Sequence, residues 1–145
     1  MTDRVQYLLQ NLLAADGVPG LQMVMAVTAD GMLRAHVYRD LDAADRAAAE
    51  RLAAGTASLV ALAGSLLAEQ GDALRQLPIE GRNSWYVVIA AGPHAYLAAR
   101  ADHDAVLDDV FYALHRIVGS VGQELAAVVR DAAAPAWAPS GATER

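Results

Sequence analysis

The chain has 145 residues, of which 55% are apolar and 19% are charged, and its formal net charge is −6. That length and apolar share predict one packed domain and leave no room for two full cores. There is no cysteine, which excludes disulfides, thiolate nucleophiles and cysteine-based metal sites. All 11 basic residues are arginine, so the chain also lacks the lysine of a nucleotide-binding P-loop or of a Schiff-base enzyme.

The charge balance argues against nucleic-acid and membrane partners. The arginines are spread singly from Arg4 to Arg145 and do not cluster, whereas phosphate backbones and anionic lipids require clustered cations. Residues 52–68 carry no charge, but this stretch is short and rich in alanine, so we expect a buried helix and no membrane insertion. The first residues have helical spacing and not the continuous apolar block of a signal peptide, which predicts a cytoplasmic protein.

The spacing of apolar residues predicts a helix, a hairpin and a long helix in the first half of the chain. We expect these elements at residues 3–15, 21–28, 32–38 and 42–70. Asp30-Gly31 lies between the two strands and is the strongest short signal for a hairpin. Gly71 is expected to end the long helix, which is polar only in its first turns.

Three strands and a final helix are predicted in the second half, at residues 74–80, 84–91, 95–101 and from 102–104 to about 133. Pro78 favours an edge strand or a bulge, because proline cannot donate to a ladder. Residues 84–91 are apolar on both faces, which is typical of a strand inside a covered sheet. Gly119 and Gly122 predict a bend or a close backbone contact in the last helix.

The element order α-β-β-α-β-β-β-α predicts an α/β (α+β) fold. We expect a five-stranded antiparallel sheet between helices, with the long helix on one face and the two terminal helices on the other. The domain is expected to span residues 3–131, and residues 132–145 are expected to form a flexible tail. Trp137 lies between two prolines of that tail, where an aromatic side chain is able to dock in a groove.

No catalytic, cofactor or metal site is predicted. The four histidines share no metal-like spacing, and the serines lack the G-x-S-x-G elbow of a nucleophile. Asp40, Asp42 and Asp45 resemble the start of a calcium loop, but the loop glycine is missing and Arg51 stands at the twelfth position.

The long helix has more apolar surface than one sheet contact needs. A sheet covers only about a third of a helix, yet the apolar residues spread wider: Leu52, Leu59, Val60, Leu62, Ala63, Leu66 and Leu67. Gly55, Ala63 and Gly64 allow another backbone to approach closely. We therefore expect a dimer interface that includes Leu52, Gly55, Leu59, Ala63 and Leu66.

The element order and three local patterns together resemble the Roadblock/LC7 domain family, especially its actinobacterial branch. An amphipathic helix runs into Gly17-Val18-Pro19-Gly20, and a strand ends at Asp30-Gly31 and continues as Met32-Leu33-Arg34-Ala35. Asp42-Ala43-Ala44-Asp45-Arg46 then opens the long helix. The resemblance covers about residues 3–130.

This resemblance implies a non-enzymatic module that forms dimers and binds and regulates a small Ras-like GTPase, or acts as a scaffold. In the actinobacterial branch a histidine kinase-like signalling protein often accompanies the pair. In the family dimer the third strands pair and the second helices lie side by side, which adds Leu77 and Ile79 to the expected interface. Pro78 departs from the usual pattern, because it cannot donate to that strand pairing.

Arg46 and Arg51 lie on the polar opening of the long helix and are the candidate surface for the GTPase. An arginine finger is conceivable there, but we favour an indirect role in which binding orders the catalytic groups of the GTPase itself. Two other functions stay open: a small-molecule sensor with a pocket between helix and sheet, and a pure scaffold.

Overall fold

Three helices and five strands follow one another in the predicted order in the computed structural model, which describes residues 2–14, 18–40, 42 and 45–133. The helices are α1 (Thr2–Ala14), α2 (Arg46–Ala68) and α3 (Leu107–Ala133). The strands are β1 (Leu21–Thr28), β2 (Leu33–Tyr38), β3 (Gln76–Glu80), β4 (Ser84–Ala90) and β5 (Ala95–Asp102). Residues 134–145, and with them Trp137, lie outside the described residues.

Two helices begin later than the sequence predicts. The carboxylate of Asp45 accepts hydrogen bonds from the amides of Ala47 (3.0 Å) and Ala48 (3.3 Å), so Asp45 and not Asp42 caps the start of α2. Asp102 is the last residue of β5, and a turn separates it from the start of α3. Several acidic residues precede each helix, and the sequence alone does not show which of them has the extended backbone of a cap.

All four strand pairings are antiparallel, and the strand order is β2-β1-β5-β4-β3. This confirms the predicted five-stranded sheet. β4 lies between β5 and β3, as its two apolar faces predicted, with Val87 and Ile89 on one side of the sheet and Val88 on the other. β3 forms one edge, as Pro78 predicted.

The helices cover the two faces of the sheet as expected. α1 and α3 pack on one face around a large core that includes Leu9, Leu97 and Leu114. α2 packs on the other face over a smaller core that includes Met23, Met25 and Ala53. Helices therefore cover both faces, but fewer apolar side chains are buried on the α2 face.

Pro78 lacks an N–H on the side of β3 that points away from the sheet. Gly81 donates to the carbonyl of Ser84 (2.7 Å), and Ala90 donates to the carbonyl of Arg75 (3.0 Å). Main-chain groups alternate in direction along an antiparallel strand, so the odd-numbered residues of β3 face β4 and the even-numbered ones face outward. Pro78 therefore costs the sheet no hydrogen bond, but it removes a donor from the open edge.

The two glycines of α3 differ in their surroundings. A Cβ added to Gly122 would clash with the carbonyl group of Ala91, whose carbon would lie 3.1 Å away. A Cβ on Gly119 would meet no atom within 4 Å. The close backbone contact that the sequence predicted therefore exists at Gly122, where α3 crosses the end of β4.

We predict that alanine substitutions at these two positions have opposite effects on stability. Gly119→Ala should stabilise the fold by about 0.5–1 kcal/mol, because alanine loses less backbone entropy than glycine in a helix. Gly122→Ala should destabilise it by about 1–3 kcal/mol through overpacking against the backbone. Urea unfolding of both variants measures the difference, and equal effects would contradict the close contact.

Candidate functional site

Helix α2 contacts the sheet through a narrow stripe of small and medium-sized side chains. Four of its 23 residues are buried: Ala49, Ala53, Thr56 and Val60. By length and composition α2 is apolar enough to cross a membrane, yet only 17% of its most apolar window is buried. Since α2 packs on the sheet through one stripe, most of its apolar surface lies outside the core of this chain.

A second stripe of α2 lies on the flank of the helix, beside the buried one. At 100° per residue, one sector of about 80° of the helix contains Ala48, Leu52, Gly55, Leu59, Leu62 and Leu66. Exposure is 63% for Leu62 and 71% for Leu66. We call this set the leucine stripe. It includes four of the five α2 residues predicted for the interface, whereas Ala63 lies between the two stripes.

A groove separates the leucine stripe from the neighbouring strands. It has a volume of about 470 Å3 and is open to solvent. Its walls come from α2 and from two strands: Ala48, Arg51, Leu52, Gly55, Thr56, Leu59, Tyr86 and Arg100. Tyr86 of β4 and Arg100 of β5 are paired across the sheet and form the strand side of the groove.

The hydroxyl of Tyr86 connects the sheet to α2. It lies 2.6 Å from the hydroxyl of Thr56, which in turn donates to the carbonyl of Leu52 at 2.7 Å. Burial raises the pKa of Tyr86, and the Thr56 hydrogen bond and the Arg100 charge only partly oppose this effect. The contact between Tyr86 and Thr56 therefore ties α2 to β4 at the groove.

The apolar surface continues from the groove to the open edge of the sheet. Leu77 pairs with Val88 and Ile79 pairs with Tyr86, so both β3 side chains lie on the α2 face. Leu77 is half-buried, and Ile79 is 38% exposed. The structure thus places Leu77 and Ile79 on the same face as the leucine stripe, with the groove between them.

The two arginines proposed as the GTPase surface lie on different sides of α2. Arg46 pairs with Glu50 at 3.4 Å, and both partners are exposed. Arg46 also lies near His36 of β2. The pKa of His36 is lowered mainly by burial and secondly by the charge of Arg46. Arg51 instead lines the groove. The two guanidinium groups therefore do not form one joint site.

Five residues of this surface were not among the predicted interface residues: Ala48, Thr56, Leu62, Tyr86 and Arg100. Leu62 completes the leucine stripe, and Tyr86 and Arg100 line the groove. The strand alternation provides a signal for Tyr86, because its pairing with Ile79 puts it on the same face. The local sequence around Arg100 gives no sign that α2 leaves this side chain accessible in the groove.

In the part of the chain that the structure describes, no three His, Asp or Glu side chains gather around a common point where they could hold a metal ion. His103 instead bonds Glu80 at 2.8 Å and stacks on Trp85, with ring centroids 6.2 Å apart. These contacts close the β3–β4 hairpin against the end of β5.

A five-stranded antiparallel sheet between helices, with one helix that is largely uncovered, defines a small α/β domain with an exposed apolar surface. The chain belongs to the Roadblock/LC7 domain family, whose model matches residues 7–101. No curated protein sequence gives a match.

Solved structures show the same fold. The chain is similar to a Roadblock/LC7 domain from Streptomyces avermitilis, with 24% identity, a TM-score of 0.74 and coverage of 83% of this chain and 97% of that one. The gliding protein MglB from Thermus thermophilus gives 22% identity and a TM-score of 0.73, with coverage of 84% and 88%. A structure of MglB with a tetrameric arrangement gives 23%, 0.73 and the same coverage.

We predict that Tyr86→Phe destabilises the fold by about 1 kcal/mol at neutral pH, because the hydrogen bond to Thr56 is lost. The pKa of Tyr86 is higher in the fold than its unfolded value of 10.0, so the unfolded chain loses this proton first. The advantage of the wild type should therefore be complete below pH 10 and decrease as the pH rises further. Urea unfolding of both proteins across this range tests it, and a constant difference would contradict the buried hydroxyl.

Proposed function

We propose that the chain is a non-catalytic regulatory module that forms a homodimer and binds a small Ras-like GTPase in the cytoplasm. Membership of the Roadblock/LC7 family carries this proposal, since such domains bind and regulate GTPases of this kind. The leucine stripe supports it independently, because a helix with this much uncovered apolar surface favours a protein partner.

The α2 face supports a symmetric dimer in which two copies use the same surface. The leucine stripe forms a ridge beside the groove. In a symmetric dimer the ridge of each copy packs into the groove of the other. Burying Leu62 and Leu66 stabilises the pair at about 25 cal/mol per Å2 of apolar surface. Gly55 within the stripe leaves room for a close helix crossing, since no atom lies within 4 Å of its added Cβ.

The open edge of β3 supports pairing with a second β3 strand, although with fewer hydrogen bonds than usual. Gln76 and Glu80 keep outward N–H groups, whereas Pro78 between them has none. In any symmetric antiparallel pairing, each copy lacks one donor. We infer that the apolar contact of the α2 face contributes more to the dimer than this strand pairing does.

A protein partner also fits this surface better than a small molecule does. Ligand pockets bury most of their ligand, whereas the space between α2 and the sheet is an open groove. The exposed leucines beside it would stay in water after a metabolite had bound. The small-molecule alternative therefore leaves the main feature of the surface unexplained.

We predict that Leu66→Arg converts the dimer into a folded monomer. Leu66 is 71% exposed in the single chain, so the charge costs the isolated fold little but is buried in the proposed interface. Sedimentation equilibrium at micromolar concentration measures the mass, and circular dichroism checks the fold.

Ala61→Arg is the matched control for this experiment. Ala61 is exposed on α2 but points away from the leucine stripe. The control should remain a dimer. A wild-type protein that sediments as a monomer, or a Leu66→Arg variant that stays dimeric, would contradict the proposed interface.

We assign the contact with the GTPase to the polar start of α2, at the end of the proposed dimer surface, where Arg46 and Arg51 provide two separate contact points. We favour an indirect role because Arg46 is already paired with Glu50, and Arg51 lies beside the groove on another side of the helix. An arginine finger requires a free guanidinium that reaches the transferred phosphate in trans. Binding that orders the catalytic groups of the GTPase does not require one.

We predict that replacing both Arg46 and Arg51 by alanine weakens GTPase binding, while the hydrolysis rate of the saturated complex changes by less than about tenfold. Calorimetry with the GTPase bound to GDP, or to a non-hydrolysable GTP analogue, measures the affinity. Single-turnover hydrolysis of GTP measures the rate. Arg82→Ala, in the exposed β3–β4 turn, is the control. Unchanged binding with a rate lost by orders of magnitude would establish a finger and refute the indirect role.

A further inference from the structure

The α2 groove and the most exposed part of the leucine stripe lie along different halves of the helix. The α2 residues that line the groove run from Ala48 to Leu59, in the first half. Leu62 and Leu66, the two most exposed leucines of the chain among the described residues, follow in the second half. Each copy therefore has a hollow along the start of α2 and a projecting apolar ridge along its end.

A symmetric dimer fills both grooves only when the two α2 helices run antiparallel. In a parallel pair the same residues lie at the same level, so Leu62 and Leu66 would face their own counterparts and both grooves would stay empty. In an antiparallel pair the second half of each helix lies beside the first half of the other. The groove of each copy then receives the leucines of the other copy.

The positions of the groove and of the two leucines also determine where the two-fold axis passes. In an antiparallel pair the axis lies midway between any two residues that face each other. The α2 lining of the groove is centred near residue 54, and Leu62 and Leu66 are centred on residue 64. The axis therefore passes beside Leu59, which belongs to the leucine stripe. At this register Leu52 of one copy faces Leu66 of the other.

Gly55 provides the room that this register needs. With the axis at Leu59, Leu62 of one copy comes level with Thr56 of the other, one residue from Gly55. A Cβ added to Gly55 would meet no atom within 4 Å, so the surface is open at this point. Two helices that contact through such a position are able to approach to the lower end of the usual interaxial distance of about 8–10 Å.

The charges along α2 agree with the same register. Arg51 and Glu69 are 18 positions apart, which is about five full turns, so both lie on the same side of the helix. With the axis at Leu59, Glu69 of one copy is displaced by only about 3 Å along the helix from the level of Arg51 of the other. The charged residues that line the groove, Arg51 and Arg100, are both cations. Parallel helices would instead place Arg51 beside Arg51.

We propose that the two-fold axis of the dimer passes beside Leu59, and that Leu62 and Leu66 of each copy fill the groove of the other. The proposal rests on the homodimer proposed above and specifies its orientation and its register. Since both grooves are filled by one partner copy, the α2 contact is closed and does not continue into a filament.

A cysteine at the axis tests the register, because the natural chain contains no cysteine. Leu59→Cys should bring the two Cα atoms within the separation of about 4.4–6.8 Å that a disulfide requires. Under mild oxidation this variant should form a covalent dimer several-fold faster than Ala61→Cys, which lies at a similar level but points away from the leucine stripe. Equal rates for the two variants would overturn the proposed axis.

A mixture of two cysteine variants tests the orientation. In Leu52→Cys alone, and in Leu66→Cys alone, the two thiols of a dimer should lie about 21 Å apart along the helices, so few disulfides form. After subunit exchange between the two variants, one of them isotopically labelled, mass spectrometry should find disulfides in the mixed dimers. A rapid disulfide in Leu52→Cys alone would indicate parallel helices and overturn the proposal.

A charge reversal gives a measurement that does not depend on cysteines. Glu69→Arg should weaken the dimer several-fold at low salt, because it places a cation near Arg51 of the other copy, and high salt should remove the difference. Glu50→Arg is the matched control, since it makes the same charge change on the opposite side of α2 from the leucine stripe. Equal weakening by both variants would overturn the register.

Failure of the register and failure of the homodimer give different results. A wild-type protein that sediments as a monomer contradicts the proposed function itself. A wild-type dimer in which neither Leu59→Cys nor the mixture forms disulfides, although the reduced variants still sediment as dimers, overturns only the register.

Discussion

The surface of this protein depends on how closely α2 approaches the sheet. Three of the four buried residues of α2 have small side chains, Ala49, Ala53 and Thr56, so the helix lies close to the strands. A close helix covers little width, and the larger leucines remain on its flank. The hydrogen bond between Tyr86 and Thr56 then ties the helix to β4 at this distance. The helix therefore covers little of the sheet and leaves an apolar ridge and groove exposed.

The other face of the sheet is organised differently. There two helices cover the strands, and side chains such as Leu9, Leu114 and Leu125 are almost completely buried. A close-packed face of this kind resists deformation, because filled interiors have low compressibility. The packing of α1 and α3 therefore gives the sheet a rigid support on the side opposite to α2. The division between a supporting face and an exposed one follows from the number of helices on each side.

Most of the fold was predictable from the sequence because periodicity and turn chemistry agree in each element. The Asp30-Gly31 hairpin and the doubly apolar β4 both follow from local patterns that the structure confirms. The starts of α2 and α3 were predicted too early, since helix caps depend on backbone angles that several neighbouring aspartates could adopt. From the residues alone the candidate surface was predictable only along the helix, and the family resemblance added Leu77 and Ile79. Tyr86 and Arg100 belong to it through strand pairing, which brings Tyr86 against Thr56 although the two are 30 positions apart in the chain.

The missing outward N–H of Pro78 also affects how the chain behaves before it has bound a partner. An exposed sheet edge is a template on which unrelated strands add and aggregates grow. Of the outward positions of β3, only Gln76 and Glu80 have an N–H group. A foreign strand that pairs across Pro78 therefore has one carbonyl without a donor. An edge that lacks one donor is a poorer template for indiscriminate strand addition while the apolar α2 face is uncovered. The proline acts as a safeguard for solubility at the one edge that lies beside the exposed apolar surface.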